Sequence, residues 1–166
     1  CVRFAKFGLK LDFDLVFSGV NRGLNIGTDT LYSGTVSAAF EAVCLGCKAL
    51  ALSTGFEEFQ TALAHLDEVW ELMGQHDLFS KNDIYNVNFP EHEVKGIRFT
   101  RQGGPYYSDD FLPQENDMYL PCGKDVFAES GNMDIDTDAV LRGGYTSIMP
   151  LSLSRADLNV FEKLKK

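Results

Sequence analysis

The chain has 166 residues, 45% of them hydrophobic, and a formal net charge of −9 at pH 7. That is enough length and apolar content for one α/β domain with a core. The charge argues against a surface for duplex nucleic acid, which needs a basic patch to displace counterions. No run of 18 apolar residues and no basic leader followed by an apolar stretch occurs, so neither a membrane span nor a signal peptide is indicated. An acidic protein can still hold a small phosphorylated ligand through a cation and oriented amides.

Phe13, Leu15, Val16 and Phe17 form an apolar run that stops at Ser18-Gly19, as a buried parallel strand does at its carboxyl end. Val36, Ala39, Phe40, Val43 and Cys44 then recur at helical spacing, the stripe of a helix packed on a sheet. The intervening loop, residues 18–35, sits at a strand-to-helix crossing, where open α/β sheets bind ligands. Gly19, Gly23 and Gly27 permit positive φ and a close backbone approach, while Ser33-Gly34-Thr35 offers hydroxyls and bare N–H groups at a helix start. The glycine spacing fits neither the dinucleotide fingerprint nor the P-loop. On residue types alone the loop is either a phosphate cradle or a plain tight connection.

Cys44-Leu45-Gly46-Cys47 has Cys-x-x-Cys form but lies at a helix C-terminus, where the dipole opposes a thiolate. A closed zinc site needs two further ligands, and Cys1 and Cys122 stand apart, so packing is the expected role of these cysteines. Ala49 to Ser53 reads as a second buried strand. Thr54 with Glu57 has capping-box spacing, and Phe56, Phe59, Leu63, Leu66, Trp70 and Met73 mark the inner face of a helix expected to stop at Gly74. Ile84 to Phe89 is the next strand, closed by Pro90.

Gly96 to Arg101 alternates Ile97 and Phe99 against Arg98 and Thr100, as a strand with one wet face does. From Gly103 to Asp138 the chain is rich in Pro, Gly, Asp, Asn and Tyr, too long for a simple connection and, on sequence alone, equally an extended hairpin or a lid. Within it Asp109-Asp110 reads as a solvated loop. His65, His76 and His92 read as surface residues rather than catalysts. Leu153 and Leu158 bracket Ser154 at hydrophobic-staple spacing; Asp157 makes the first turn acidic, and Leu158, Phe161 and Leu164 line one face ahead of Lys163, Lys165 and Lys166.

The order Ser-Gly-Val-Asn-Arg-Gly-x-Asn-x-Gly-x-Asp-x-x-Tyr-Ser-Gly-Thr from Ser18 to Thr35 closely resembles the signature of the SurE family, stationary-phase survival proteins that act as metal-dependent 5′-nucleotidases. Further blocks resemble that family in the same order: Asn86 to Pro90, Lys95 to Arg101, and Thr137 to Val140 running into Gly144 to Leu151. The resemblance implies a three-layer, Rossmann-like, mostly parallel α/β sheet, of whose core residues 1–102 form the C-terminal part. It also implies a protruding β-hairpin over 103–140 and a last strand with a terminal oligomerisation helix over 141–166.

The resemblance further implies that Asn21 is a metal ligand and that Asn25, Ser33, Gly34 and Thr35 surround the phosphate of a nucleoside monophosphate. Mg²⁺, Mn²⁺ or Ca²⁺ suits the carboxamide oxygen of Asn21. Asp29 is assigned to organising the loop, and Arg22 is the one evident basic residue near the pocket. A homodimer or tetramer in the cytoplasm is the implied setting.

One departure stands out. The family's strand ending in Asn-Asp-Asp-Gly, whose adjacent aspartates hold the metal, has no counterpart here. Cys1-Val2 matches a position just upstream of the signature loop, so the catalytic aspartates are expected upstream of residue 1 and the 166 residues alone are expected to be inactive. The alternative is a non-catalytic ligand-binding or assembly module that retains the fold.

Overall fold

The computed structural model describes residues 1–57 and 59–165. In chain order they form β1 (Leu15–Arg22), α1 (Gly34–Cys44), β2 (Lys48–Thr54), α2 (Gln60–Gln75), α3 (Leu78–Lys81), β3 (Ile84–Asn88), β4 (Ile97–Phe99), β5 (Tyr107–Ser108), β6 (Phe111–Pro113), β7 (Tyr119–Pro121), β8 (Lys124–Asp125), α4 (Asp136–Asp138), β9 (Thr146–Pro150) and α5 (Leu158–Leu164). The central sheet has the order β1-β2-β3-β9-β4, with every pairing parallel except β3 against β9. This is the mostly parallel α/β sheet implied by the sequence.

The three layers follow from the pleat of β2. Leu50 and Leu52 point to one face, where they meet Ala62, Val69 and Met73 of α2 together with Val87, Phe89 and Ile148. Ala49 and Ala51 point to the other, against Val36, Ala39 and Ala42 of α1. Because both faces are covered, β2 is apolar at consecutive positions rather than alternate ones. Small residues on α1 and on the facing side of β2 allow close helix-to-sheet approach.

Several expectations give way to the observed structure. The first strand does not stop at Ser18-Gly19: it bulges there and continues to Arg22, the register moving from Ser18 opposite Ala51 to Asn21 opposite Ser53. Gly19 is required at the bulge, since it has φ +129° and a Cβ would lie 2.2 Å from the Leu52 carbonyl oxygen. The Thr54–Glu57 capping box does not form. Thr54 ends β2, and α2 begins only at Gln60, after Phe59, with no side-chain cap.

The inner face of α2 is carried by Ala62, Val69 and Met73, with Leu66 beside them, while Leu63 and Trp70 are exposed and Phe56 and Phe59 precede the helix. Trp70 nevertheless has partners, sitting edge-on to Phe17 at 5.5 Å. In β4 Ile97 packs against the core and Arg98 is exposed as expected, but beyond them the sides change: Thr100 is buried and bonded to Ser147, whereas Phe99 is exposed against His76. Cys47 packs in the core, but Cys44 is exposed. At α5 the cap is Asp157, whose carboxylate accepts the Val160 N–H at 3.0 Å, and not Ser154. Lys166 lies outside the described residues.

Between β4 and α4 the chain makes a two-stage antiparallel excursion. β5 pairs with β8 and β6 with β7, and Asn116 and Asp117 turn the tip with left-handed φ values of 58° and 56°. Phe111, Leu112, Tyr119 and Leu120 all lie exposed on it. No helix of the described residues is long and apolar enough to cross a membrane.

Candidate functional site

The carboxyl ends of β1, β2 and β3 lie side by side, and the loop from Gly23 to Ser33 closes over them before α1 begins. Gly23 and Gly27 both adopt positive φ, at 116° and 54°. At Gly27 a Cβ would lie 2.1 Å from the Gly104 carbonyl oxygen, so the loop presses against the base of the hairpin with no room for a side chain.

Asn25 is the most constrained residue of this loop. Its main-chain N–H donates to Asn88 Oδ1 at 2.8 Å, and its carbonyl accepts from Asn86 Nδ2 at 2.7 Å and Asn88 Nδ2 at 3.1 Å. Its own Nδ2 donates to Ser53 Oγ at 2.7 Å. A carboxamide nitrogen carries two hydrogens, so the second remains available to an anion.

Ser33 caps α1, its Oγ accepting the Val36 N–H at 3.1 Å while its hydroxyl hydrogen is left to donate. Gly34 and Thr35 supply the first N–H groups of the helix, which have no intrahelical acceptor. The space above Gly34 is open. The positive end of the α1 dipole therefore faces outward at this point.

Asn25 and Ser33 meet in a cavity of about 470 Å³ that Asp29, Tyr32, Tyr107 and Asp109 also line. Gly34, Thr35 and Asn21 are not part of that lining. Burial holds the Asp29 carboxyl above its ordinary range, opposed by the polar Tyr106 hydroxyl nearby and assisted by a smaller push from Asp109. Asp29 lies in the helical turn over Gly27–Leu31 and faces the cavity. Asp109 is exposed as a solvated loop residue should be, yet it too faces the cavity. Arg22 turns away, its Nε donating to the Phe56 carbonyl at 2.5 Å.

Asn21 sits at the end of β1 opposite Ser53, partly buried. Its Nδ2 donates to the Gly23 carbonyl at 2.7 Å, which leaves Oδ1 as the atom able to meet a cation. A neutral amide oxygen is a suitable donor for a hard divalent ion. It is one ligand of several that such an ion takes, and among the described residues no group of three His, Cys, Asp or Glu side chains could hold a metal.

Sequence reasoning assigned no role to Ser53, Asn86, Asn88, Tyr106 or Asp136. Asp136 is fully buried, and its carboxylate accepts the N–H groups of Gly27 at 2.9 Å, Gly103 at 2.7 Å and Thr137 at 2.8 Å. Burial raises its pKa, and these amide bonds oppose the rise. Tyr106 donates to the Leu24 carbonyl at 3.2 Å. A signal for the β3 pair was present in the sequence: Asn86 and Asn88 alternate with Val87 at strand period, which puts two carboxamides on one face of an apolar strand.

The family model described as Survival protein SurE matches residues 1–109. The 5′-nucleotidase SurE of Natranaerobius thermophilus is 36% identical over 163 residues, an alignment covering 91% of this chain and 62% of that protein. The 5′-nucleotidase SurE of Desulforudis audaxviator is 35% identical, with 100% and 68% covered. The crystal structure of the SurE protein from Aquifex aeolicus matches with a TM-score of 0.73 at 33% identity, covering 99% of this chain and 70% of that one. The chain thus spans between 62% and 68% of the length of these two curated relatives. A family model covering well over half the sequence, and relatives alike across nearly all of it, agree with the fold just described: the chain belongs to the SurE family.

Proposed function

We propose that this chain forms part of a metal-dependent phosphohydrolase that releases phosphate from nucleoside monophosphates. The observation that carries this is the convergence of Asn25 and Ser33 on one cavity at the opening of α1. The second N–H of Asn25, the Ser33 hydroxyl and the amides of Gly34 and Thr35 are the donors assigned to the phosphate oxygens. Fixed donors of this kind stabilise charge that builds on a phosphoryl group without having to reorganise. Asn21 Oδ1 is assigned to the cation. Asn21 would hold the ion as one of its ligands, and the Lewis acidity the ion would supply there is what a phosphate ester needs for polarisation.

The relatives' name, 5′-nucleotidase, supports the nucleoside monophosphate as substrate. So do the aromatic walls of the cavity, Tyr32 and Tyr107, which suit a flat base. The remaining metal ligands and the catalytic carboxylates are assigned to protein outside these 166 residues. The exposed apolar side chains of the hairpin and of α5 are assigned to contacts in a homodimer or tetramer.

The test is an assay of the full gene product with a nucleoside monophosphate and Mn²⁺. Phosphate release that a chelator abolishes is expected, and its absence would defeat the proposal. The isolated 166-residue chain is expected to show negligible turnover, since one neutral ligand holds a divalent ion weakly. The absence of an acidic cluster among the described residues favours a second reading, a ligand-binding module without catalysis. Paired aspartates encoded immediately before Cys1 would rule it out.

A further inference from the structure

At Asn25 the loop is held by side chains from elsewhere in the chain. Asn88, fully buried on β3, meets the main chain of Asn25 on both sides, accepting its N–H and donating to its carbonyl, as the peptide of a neighbouring strand would. Asn86 adds a second donor to that carbonyl. Ser53 at the end of β2 fixes the Asn25 side chain. Two residues on, the carboxylate of Asp136 accepts the Gly27 N–H and, with its other oxygen, the Gly103 N–H at the foot of the hairpin.

A loop with glycines at 23 and 27 has much conformational freedom, and its own side-chain bonds, from Asn21 to the Gly23 carbonyl and from Thr30 to the Gly27 carbonyl, hold its two glycines but not Asn25 between them. Buried donors and acceptors paired to Asn25 and Gly27 do select one geometry, because any shift leaves a polar group unpaired away from water. We propose that Asn88, Ser53 and Asp136 are positioning residues that clamp the Asn25–Gly27 segment and so set the geometry in which Asn25 meets phosphate. The clamp rests on the assignment of Asn25 made above. None of the three lines the cavity, so each acts through the loop.

The chemistry of the β3 contact dictates the decisive variant. Asn88→Asp keeps the size and the Oδ1 acceptor but sets an oxygen against the Asn25 carbonyl in place of the Nδ2 donor. Ser53→Ala removes the side-chain anchor with little change of volume. Both belong in the full gene product, with inorganic phosphate as a competitive inhibitor of adenosine monophosphate hydrolysis in Mn²⁺.

Asn88→Asp is expected to raise the phosphate inhibition constant and KM by about tenfold, and Ser53→Ala by roughly threefold, a displacement below an ångström being enough for effects of this order. A loss of folded enzyme would instead lower kcat and leave the inhibition constant where it was. Unchanged inhibition constants in Asn88→Asp and Ser53→Ala, with a raised one in Asn25→Ala, would overturn the clamp and leave the assignment of Asn25 standing. An unchanged constant in Asn25→Ala as well would overturn both. Should Asn88→Asp fail to fold, Ser53→Ala and Asp136→Asn decide by the same criterion.

Discussion

The strand ends behind the Asn25 loop and the hairpin whose Tyr107 and Asp109 line the cavity draw on similar residue types and put them to opposite uses. At the ends of β2 and β3, Ser53, Asn86 and Asn88 are fully buried and bonded to one loop residue. On the hairpin, Asp110, Asn116 and Asp117 are exposed, and so are Phe111, Leu112 and Leu120. Burial turns a carboxamide into a positioning device, because its partners cannot be replaced by water. Exposure leaves the same chemistry interchangeable. Substitutions should therefore separate the two regions sharply.

The largest effect is expected in the core on the α2 side of the sheet. Phe89 has no solvent exposure and packs among Leu52, Val87 and Ile148 on the α2 side of the sheet. Phe89→Ala should lower the free energy of unfolding by about 3–5 kcal/mol, the range for truncating a buried aromatic side chain. Urea denaturation of parent and variant would measure it. A change below about 1 kcal/mol would show that the core re-closes around the gap, and that burial in this region is less exacting than the contrast holds.

Gly27→Ala probes the contact between the two regions. Its φ of +54° and the 2.1 Å approach of the Gly104 carbonyl leave no place for a methyl group. The loop must move, at an expected stability loss of about 1–3 kcal/mol for strain of this kind. In the full gene product kcat/KM should fall by roughly 10- to 100-fold, since the moved segment carries Asn25. Unaltered kinetics beside lowered stability would separate the loop from the chemistry.

How much of this was legible in the sequence follows from what each pattern depends on. The apolar runs behind β2 and β3 and the helical stripe of α1 report burial on a sheet, and burial on a sheet is what the chain does there. The end of β1 was misplaced because Gly19 breaks strand propensity locally, while the partner strand β2 continues and carries the bulge with it. The Thr54–Glu57 spacing imitates a cap, but pairing of Thr54 with Arg22 across the sheet overrides it. In α2 the large residues Leu63 and Trp70 outweighed Ala62 and Val69 in the pattern, although the smaller pair is the one that fits against the sheet. The roles of Asn88 and Asp136 depend on partners 63 and 109 positions away, which no local pattern encodes.

Asp136 gives an intermediate effect with a defined pH dependence. Burial raises its carboxyl above the ordinary 3.8, so the folded protein binds that proton more tightly than the unfolded chain does. The stability this contributes is complete below pH 3.8 and is lost as pH rises through the raised value. Asp136→Asn removes this titration. The stability of the parent relative to the variant should therefore decline with rising pH in that window, by roughly 1.4 kcal/mol for each unit between the folded and unfolded pKa. Denaturation of both proteins from mildly acid to neutral pH would trace the decline, and a constant difference would mean that the three amide bonds cancel the effect of burial.

The smallest effect on folding is expected at the hairpin. Phe111 is 56% exposed, and its strand partner lies within the same two-stranded ladder, away from the central sheet. Phe111→Ser should change the unfolding free energy of the dilute protein by no more than about 0.5 kcal/mol, as surface substitutions do. Association is where it should act. An apolar side chain exposed beside Leu112, Tyr119 and Leu120 contributes little to its own fold and much to any surface that covers all four, because burying such a group removes its whole apolar area from water. Sedimentation equilibrium of the full gene product should show subunit dissociation shifted to about tenfold higher concentration in the variant, the equivalent of roughly 1.4 kcal/mol for the phenyl ring withdrawn from the interface. If association is unchanged, the hairpin's apolar face lies outside the subunit contact, and the contrast between the two regions reduces to burial within a single chain.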